Sequence, residues 1–465
     1  MPVLGATPVA SYLNRFQRLV PPFANWVRIM SIPPRTLASI AAGLFSLSML
    51  STASAQMEFE AAPISYETAP VNTRITQLQA KIDSGEVDLQ PGDQRGYLEA
   101  VLKLLEVPQA SQVLVFSKTS LQLRRITPDR PRAVYFNEDT YIGYCQQGDV
   151  LEVATQDAQQ GTIFYTLDQS PPESPTMKPQ FVRDRGQCLT CHASSRTQGV
   201  PGLLVRSVYS DGGGHPLLGS GTFSTDHTSP FSKRWGGWYV SGQHGSMRHM
   251  GNVLAQRKSP ETLDREAGAN ATDLAKFVSV KPYLTPHSDL VALMVLEHQV
   301  QMHNFITLVN FETRSALHHD DIMNDALDRP ETFRSELTER RINGVTEKLV
   351  KYLLFSQEFA LESPVSGTSG FAEEFATRGP RDSKGRSLRD LDLKTRLLKY
   401  PCSYLIYSAA FEQLPAIAKA DVLRKLRDVL TGKNNSPDFE HLSAEDRLAI
   451  YEILKETLPG LPADW

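Results

Sequence analysis

One pentapeptide constrains this 465-residue chain more than any other feature: Cys188-Leu189-Thr190-Cys191-His192, its only C-x-x-C-H, in a chain with four cysteines. That spacing reads as covalent attachment of one c-type haem. Each thiol adds across a haem vinyl group to make a thioether, and the two-residue spacer sets the cysteines at the separation of the two vinyls. His192, next in sequence, then lies under the porphyrin and can bind the iron axially. Three weaker readings use the same residues. A thioredoxin-like dithiol has no need of His192. A zinc site needs four ligands, and no second C-x-x-C or close histidine pair supplies the rest. A structural disulfide would need only the two cysteines.

The compartment expected from the N-terminus agrees with haem c, which is attached outside the cytoplasmic membrane. Leu37 to Leu50 form an apolar run preceded by Arg35 and followed by Ala53-Ser54-Ala55, an A-x-A cleavage site. Residues 1–55 therefore read as a signal peptide, with Met30 a more ordinary start than Met1, and the mature chain is expected in the periplasm or otherwise exported. An uncleaved N-terminal anchor is the competing reading. No later run approaches the ~18–20 apolar residues that span a bilayer, so no membrane span is expected after cleavage.

Removing that segment takes away four arginines and no acid, which moves the formal net charge from −4 to −8. With 41% apolar residues this is the composition of a mildly acidic globular protein, without the basic patch a nucleic-acid partner requires. About 410 residues suffice for two domains. Cys145 and Cys402 either pair in the oxidising compartment or stay as packed thiols.

The pattern of residues predicts an α+β fold. Helical spacing marks 73–84 and 95–106. Short β-branched and aromatic runs at Gln112–Ser117, Ala133–Phe136, Thr140–Cys145, Val150–Ala154 and Thr162–Leu167, separated by turn residues, predict an antiparallel meander. A Pro-rich loop at 169–180 leads to the motif. Beyond it, Gly202–Tyr209 and Pro216–Phe223 flank Asp211-Gly-Gly-Gly214 as a hairpin, and Trp235–Gly242 reads as a further strand. From about Asp264 the chain becomes helical, with helices expected at 288–314, 343–360, 387–414, 419–431 and 443–457 and a surface loop at 364–386. The expected domains are a β-rich haem c region at 56–260 and a mainly helical one at 261–465.

The block from CLTCHASSRTQGVPGLLVRSVYS to GQHGSMRHMGN, with the flanks SQVLVFSKTSLQ, RAVYFNEDTYIGY and KYPCSYLIYSAAF, resembles a group of exported bacterial proteins known only as cytochrome c domain-containing. The resemblance covers most of the mature chain. It implies haem c and export, and little else. More loosely, the order of haem motif and then hairpin is similar to haem-c-bearing PAS-like domains, a topological analogy.

Function then turns on the sixth coordination position, opposite His192. The segment His244-Gly-Ser-Met247-Arg248-His249-Met250 is the richest source of a ligand, with His249 favoured over Met250 and His244. A second source is the helix at 288–314, where Met294, His298, Met302 and Phe305 share an apolar face. His303 falls about 140° from His298, so the two cannot share one metal. His318-His319-Asp320 is expected in a polar turn. Arg206, Arg234 and Arg248 are candidates to neutralise haem propionates. Arg248 could equally act distally, and Arg234 reads more readily as a surface salt bridge. Trp235 and Trp238 could pack on the porphyrin. The expected function is that of an exported monohaem electron-transfer protein with a strong second ligand and a redox partner protein, which the helical region could help to dock. The alternative, with a labile sixth site, is a haem enzyme or a gas or redox sensor.

Overall fold

The five alternating runs become strands β1 (Val113–Val115), β2 (Arg132–Phe136), β3 (Thr140–Tyr144), β4 (Val150–Asp157) and β5 (Gly161–Asp168). The computed structural model describes residues 58–170, 174, 177–462 and 465. The expected signal peptide, its cleavage site and the Met30 start lie outside the described residues. The strands pair as the expected antiparallel meander, and β6 (Phe181–Arg183), just before the C-x-x-C-H motif, joins β5. The hairpin after the motif forms as β7 (Val205–Val208) and β8 (Thr222–Thr225), apart from the main sheet. The run at 235–242 yields only a two-residue strand, β9 (Trp238–Tyr239), which adds to β1. The seven-stranded order is β6-β5-β4-β3-β2-β1-β9.

Alternation assigns each residue to a face. Ala154 pairs with Phe164 and with Tyr141, so these three share one face; Val153 pairs with Tyr165 and with Ile142 on the other. The Tyr165 face looks to the N-terminal helix α1 (Arg74–Ser84), whose N-cap Thr73 meets the Tyr165 hydroxyl at 3.3 Å. A short helix α2 (Leu98–Leu104) follows. The motif itself forms a single turn, α3 (Leu189–His192).

The Phe164 face receives α4 (Leu290–Ala326), the longest helix at 37 residues. Asp289 caps it, accepting from Val291 and Ala292 N–H at 2.8 and 3.0 Å. Every residue from Leu290 to Val300 is buried, so this end is a core helix apolar or hydrogen-bonded all round. Gln299 donates to the Tyr141 hydroxyl and to the Asn137 carbonyl, both at 2.7 Å.

The helical half departs from expectation in three places. No helix begins at Asp264; the first starts at Leu290. α4 runs twelve residues past Arg314, since no glycine or proline interrupts the chain before Pro330. His318, His319 and Asp320 are therefore helical and not in a turn. Asp320 is buried and accepts from the Ser335 N–H and hydroxyl, which anchors the start of α5 (Glu336–Leu353). The third departure is 387–414, which is mostly irregular, while the expected loop at 364–386 holds a short helix α6 (Phe371–Thr377). Helices α7 (Ala416–Leu430) and α8 (Ala444–Thr457) form close to where they are expected.

Residues 57–465 make one compact unit. Because α4 packs on the sheet, the segments 56–260 and 261–465 share a continuous apolar core, and no boundary near 260 parts them. Among the described residues no helix is long and apolar enough to cross a membrane.

Five histidines, His227, His244, His249, His298 and His303, are buried. Burial holds each imidazole below its ordinary value, His227 down to about 3 and His303 to about 4. All five stay neutral when folded and take protons when unfolded below ~6.5. Their stabilisation is complete above that pH and is lost as pH falls towards the folded values. For His303 the full effect is on the order of 3 kcal/mol. Glu297 and Glu358, pushed by burial up to about 7 each, act oppositely between ~4.5 and 7. Five groups outweigh two, so the melting temperature should fall between pH 7 and pH 4.5 and drop more steeply below that. Thermal melts across pH 4–8 check this, and a flat profile would contradict it.

Candidate functional site

The site starts from one helical turn. The Cys191 and His192 N–H groups both donate to the Cys188 carbonyl, at 3.1 and 2.9 Å. Asp184 Oδ2 accepts from the Gly186 and Cys188 N–H groups at 3.0 and 2.9 Å and fixes the entrance to the turn. Residues three apart lie on one face of a helix, so Cys188 and Cys191 project together. All four cysteines of the chain carry free thiols, so neither a motif disulfide nor a Cys145–Cys402 pair forms. Cys188 is half-buried and Cys191 exposed. Burial, helped by Asp184 and Glu152, pushes the Cys188 thiol up to about 12. Cys145 is likewise pushed to about 12 by burial, and Cys402 is raised by burial alone, as packed thiols are.

His192 is clamped. Its Nδ1–H donates to the Gly202 carbonyl at 2.9 Å, and the Gly202 N–H donates back to the His192 carbonyl at 2.8 Å. A carbonyl only accepts, so the proton is on Nδ1 and the lone pair is on Nε2, which makes no hydrogen bond. Burial holds the imidazole below its ordinary value and hence neutral. The ring rests on Phe164, centroids 5.0 Å apart.

The clamp is fastened to α4. Asn304, fully buried, accepts from the Leu203 N–H at 3.1 Å and donates to the Leu203 carbonyl at 2.8 Å. A Cβ on Gly202 would collide with the Asn304 carbonyl oxygen, so glycine is required by close approach. Thr197 closes the intervening loop by donating to the Val200 carbonyl at 2.8 Å.

Beside the motif the sheet is not fully covered. Glu152 and Gly143 lie two residues along from the Phe164 partners Ala154 and Tyr141, on the same face. Across Gly143, Arg132 reaches Glu152 at 2.6 Å, and the two side chains remain 20% and 14% exposed in the middle of the sheet. Both act on Cys188 and on His192. Arg132, Glu152, Gly202 and Asn304 were not foreseen as site residues. Nothing in their spacing marks them; strand register and the return of α4 bring them together.

The remaining expected residues are engaged elsewhere. His244 donates from Nδ1 to the Met247 carbonyl at 2.7 Å and accepts the Asn270 N–H on Nε2 at 2.8 Å. His249 accepts the Gly251 N–H on Nδ1 at 2.9 Å, which places its proton on Nε2, where a metal would need the lone pair. Met250 Sδ lies 3.8 Å from the Ser207 hydroxyl. His298 meets His227 at 2.8 Å through the two Nδ1 atoms and Ser403 at 2.8 Å through Nε2. None of the four contacts His192 among the described residues. Arg248 is held by Glu266 through two bonds of 2.7 and 2.9 Å. Arg234 is no surface bridge: it is buried, 3.1 Å from Glu297, and also donates to the His227 and Ser229 carbonyls. Trp235 is buried against Phe231 and His249, and the Trp238 Nε1–H donates to the Arg206 carbonyl. Arg206 is half-buried on β7, near Cys191.

No family model, curated protein or solved structure matches this chain. Among the described residues no three His, Cys, Asp or Glu side chains converge on a point where they could hold a metal ion.

The Asn304 clamp can be tested without a ligand. Asn304→Ala leaves the Leu203 N–H and carbonyl unpaired and should cost about 1–3 kcal/mol. Urea unfolding reads the loss; an unchanged midpoint would show that the clamp carries no strain-bearing role.

Proposed function

We propose that this chain is an exported protein carrying a single haem c, joined by thioethers to Cys188 and Cys191 with His192 as axial ligand. The observation that carries this reading is the His192–Gly202 clamp. Metal-binding imidazoles donate the other ring N–H to a carbonyl or carboxylate, which fixes the tautomer and orientation. His192 is so held, with Nε2 free, one residue after two unpaired thiols on one face of a turn. A porphyrin supplies four nitrogens of its own, so the protein needs to offer only one or two ligands, and convergence of three is not required. Beside Phe164, on the same sheet face, the Arg132–Glu152 pair stays partly exposed. The likeness to exported cytochrome c domain proteins, and the PAS-like analogy for the β-rich part, belong to the same proposal.

When bound, such a haem supplies a redox-active iron whose chemistry is set by its sixth ligand. The residues of this chain hold His192 neutral and oriented and shield one side of its ring with Phe164. They do not offer a ready second ligand, because His244 and His298 use both nitrogens, His249 uses the wrong one and Met250 lies with Ser207. That supports a labile sixth position, and hence a gas or redox sensor, or peroxide or nitrogen-oxide chemistry, over a six-coordinate shuttle. Electron transfer to a redox partner keeps one support: Cys191 is exposed, so the edge of a group attached there is within a partner's reach.

Periplasmically matured protein should retain haem through a denaturing gel, and Cys188→Ala/Cys191→Ala should abolish that stain. Staining unchanged in the double variant would end the proposal. The oxidised protein should be high-spin and the reduced protein should bind carbon monoxide. A low-spin spectrum indifferent to carbon monoxide would instead establish two protein ligands and favour electron transfer.

A further inference from the structure

A cleft of about 220 Å³ opens next to the motif, between the turn that follows it, the β7–β8 hairpin and α4; Arg196, Gln198, Ser224, Thr225, Asp226 and Gln301 are among its walls. Two features distinguish it from an ordinary surface groove. First, Arg196 and Arg206 are neighbours without a carboxylate. Arg206 is pulled down by burial and by Arg196, and its one side-chain hydrogen bond goes from Nε to the Thr222 hydroxyl at 2.8 Å. Neither arginine makes an ion pair among the described residues, although the chain has more acids than bases. Second, the cleft has under-used polar atoms behind it. Thr225, in its wall, is 4% exposed, and its hydroxyl meets only the Glu297 carboxyl. Glu297, one helical turn before Gln301, is fully buried, and beyond Arg234 on Oε2 its carboxyl has only the Thr225 hydroxyl beside it. Buried polar atoms normally use their full hydrogen-bonding capacity, and this under-used pair in the cleft wall leaves some for a ligand.

We infer that this cleft receives an oxyanion group, a carboxylate or a small nitrogen oxyanion, with Arg196 and Arg206 at its mouth and the Thr225–Glu297 pair at its inner end. The guanidiniums supply charge-assisted bonds. Asp226 is the one wall residue of the wrong sign. Its Oδ1 is occupied by the Thr228 N–H at 2.9 Å and hydroxyl at 2.7 Å. Glu297 faces Arg234, which is bonded to its other oxygen, as well as Asp226 and Tyr352. Burial outweighs Arg234 and pushes Glu297 up to about 7, so the inner donor is present below neutrality and absent above it. The inference does not depend on haem. An oxyanion could come from a propionate of an attached haem or from a free anion, and the two are separable.

The experiment titrates acetate and nitrite into the purified chain, in whatever haem state it matures, at pH 6 and pH 8. If a free anion is the ligand, binding is saturable and ~10-fold weaker at pH 8, following the proton on a group near 7. Arg196→Ala and Thr225→Val weaken it, and Glu297→Gln, which keeps a donor, removes the pH dependence. Should Glu297→Gln not fold, the pH profile of the Thr225→Val protein serves instead, because binding without the hydroxyl should keep the Glu297 titration. If a propionate already fills the cleft, no free anion binds, and Arg196→Ala shifts the midpoint potential while Arg248→Ala, whose guanidinium is held by Glu266, does not. The inference is overturned if neither anion binds and Arg196→Ala leaves the potential in place. Binding that ignores both Arg196→Ala and Thr225→Val overturns it as well. Failure of the haem proposal shows separately, as a chain with no haem stain, and the anion titration alone then decides.

Discussion

The fold depends on a helix that is buried yet carries polar side chains at intervals along its length. Each of those side chains answers the backbone or side chain of a different segment. At the start of α4, Asp289 accepts from the Thr368 and Ser369 N–H groups as well as from its own first turn. Further along, Gln299 reaches β3 and accepts from the Tyr404 hydroxyl, and His303 bonds to the Glu138 carbonyl. Asn304 holds the loop after the motif, and Asn310 donates to the Ala158 carbonyl in the β4–β5 turn. Burying one of these groups without its partner would cost a full desolvation penalty. The loops are therefore placed by α4, and one helix sets both the sheet packing and the motif geometry.

That arrangement explains which parts were readable in advance. The meander was legible because β-strands advertise a period of two and the turns between them carry their own residues, as in Asn137-Glu138-Asp139 and Gln147-Gly148-Asp149. The hairpin at β7 and β8 was legible for the same reason. The C-terminal third was less so. A helix over 387–414 looked plausible from its leucines, yet Asp390 and Asp392 fold the start of that stretch into turns by accepting the Ser387 and Thr395 N–H groups. Side chains that bond their own backbone compete with helix formation, and a pattern of apolar spacing does not register that competition.

The histidines show the same limit from the chemical side. His298 lies on an apolar stripe, and burial demands that it find a partner. Iron, a carbonyl or a hydroxyl would each satisfy that demand, and in sequence they look alike. The partners proved to be Ser403 and His227, one from a segment a hundred residues away and one from the loop after β8. His249 is subtler. It sits in a glycine-flanked loop as a ligand would, but the N–H of Gly251, two residues on, takes the lone pair of Nδ1. Only the tautomer separates a ligand from a packed ring, and the tautomer is decided by that backbone bond.

The same reasoning makes His192 the exception among these rings. Its Nδ1 faces an acceptor where that of His249 faces a donor, so its Nε2 keeps the lone pair. The acceptor is the carbonyl of Gly202, and Gly202 can occupy its position only because it lacks a Cβ that would strike Asn304. The orientation of the imidazole is thus passed from the buried helix through Asn304, Leu203 and Gly202 to the ring. Cys188 and Cys191, by contrast, are set by one exposed turn and Asp184. A group attached to the thiols would be tethered to the surface while its axial ligand is referenced to the core. Any shift of α4 relative to the sheet would then act first on the His192 ring, before it disturbed the attachment.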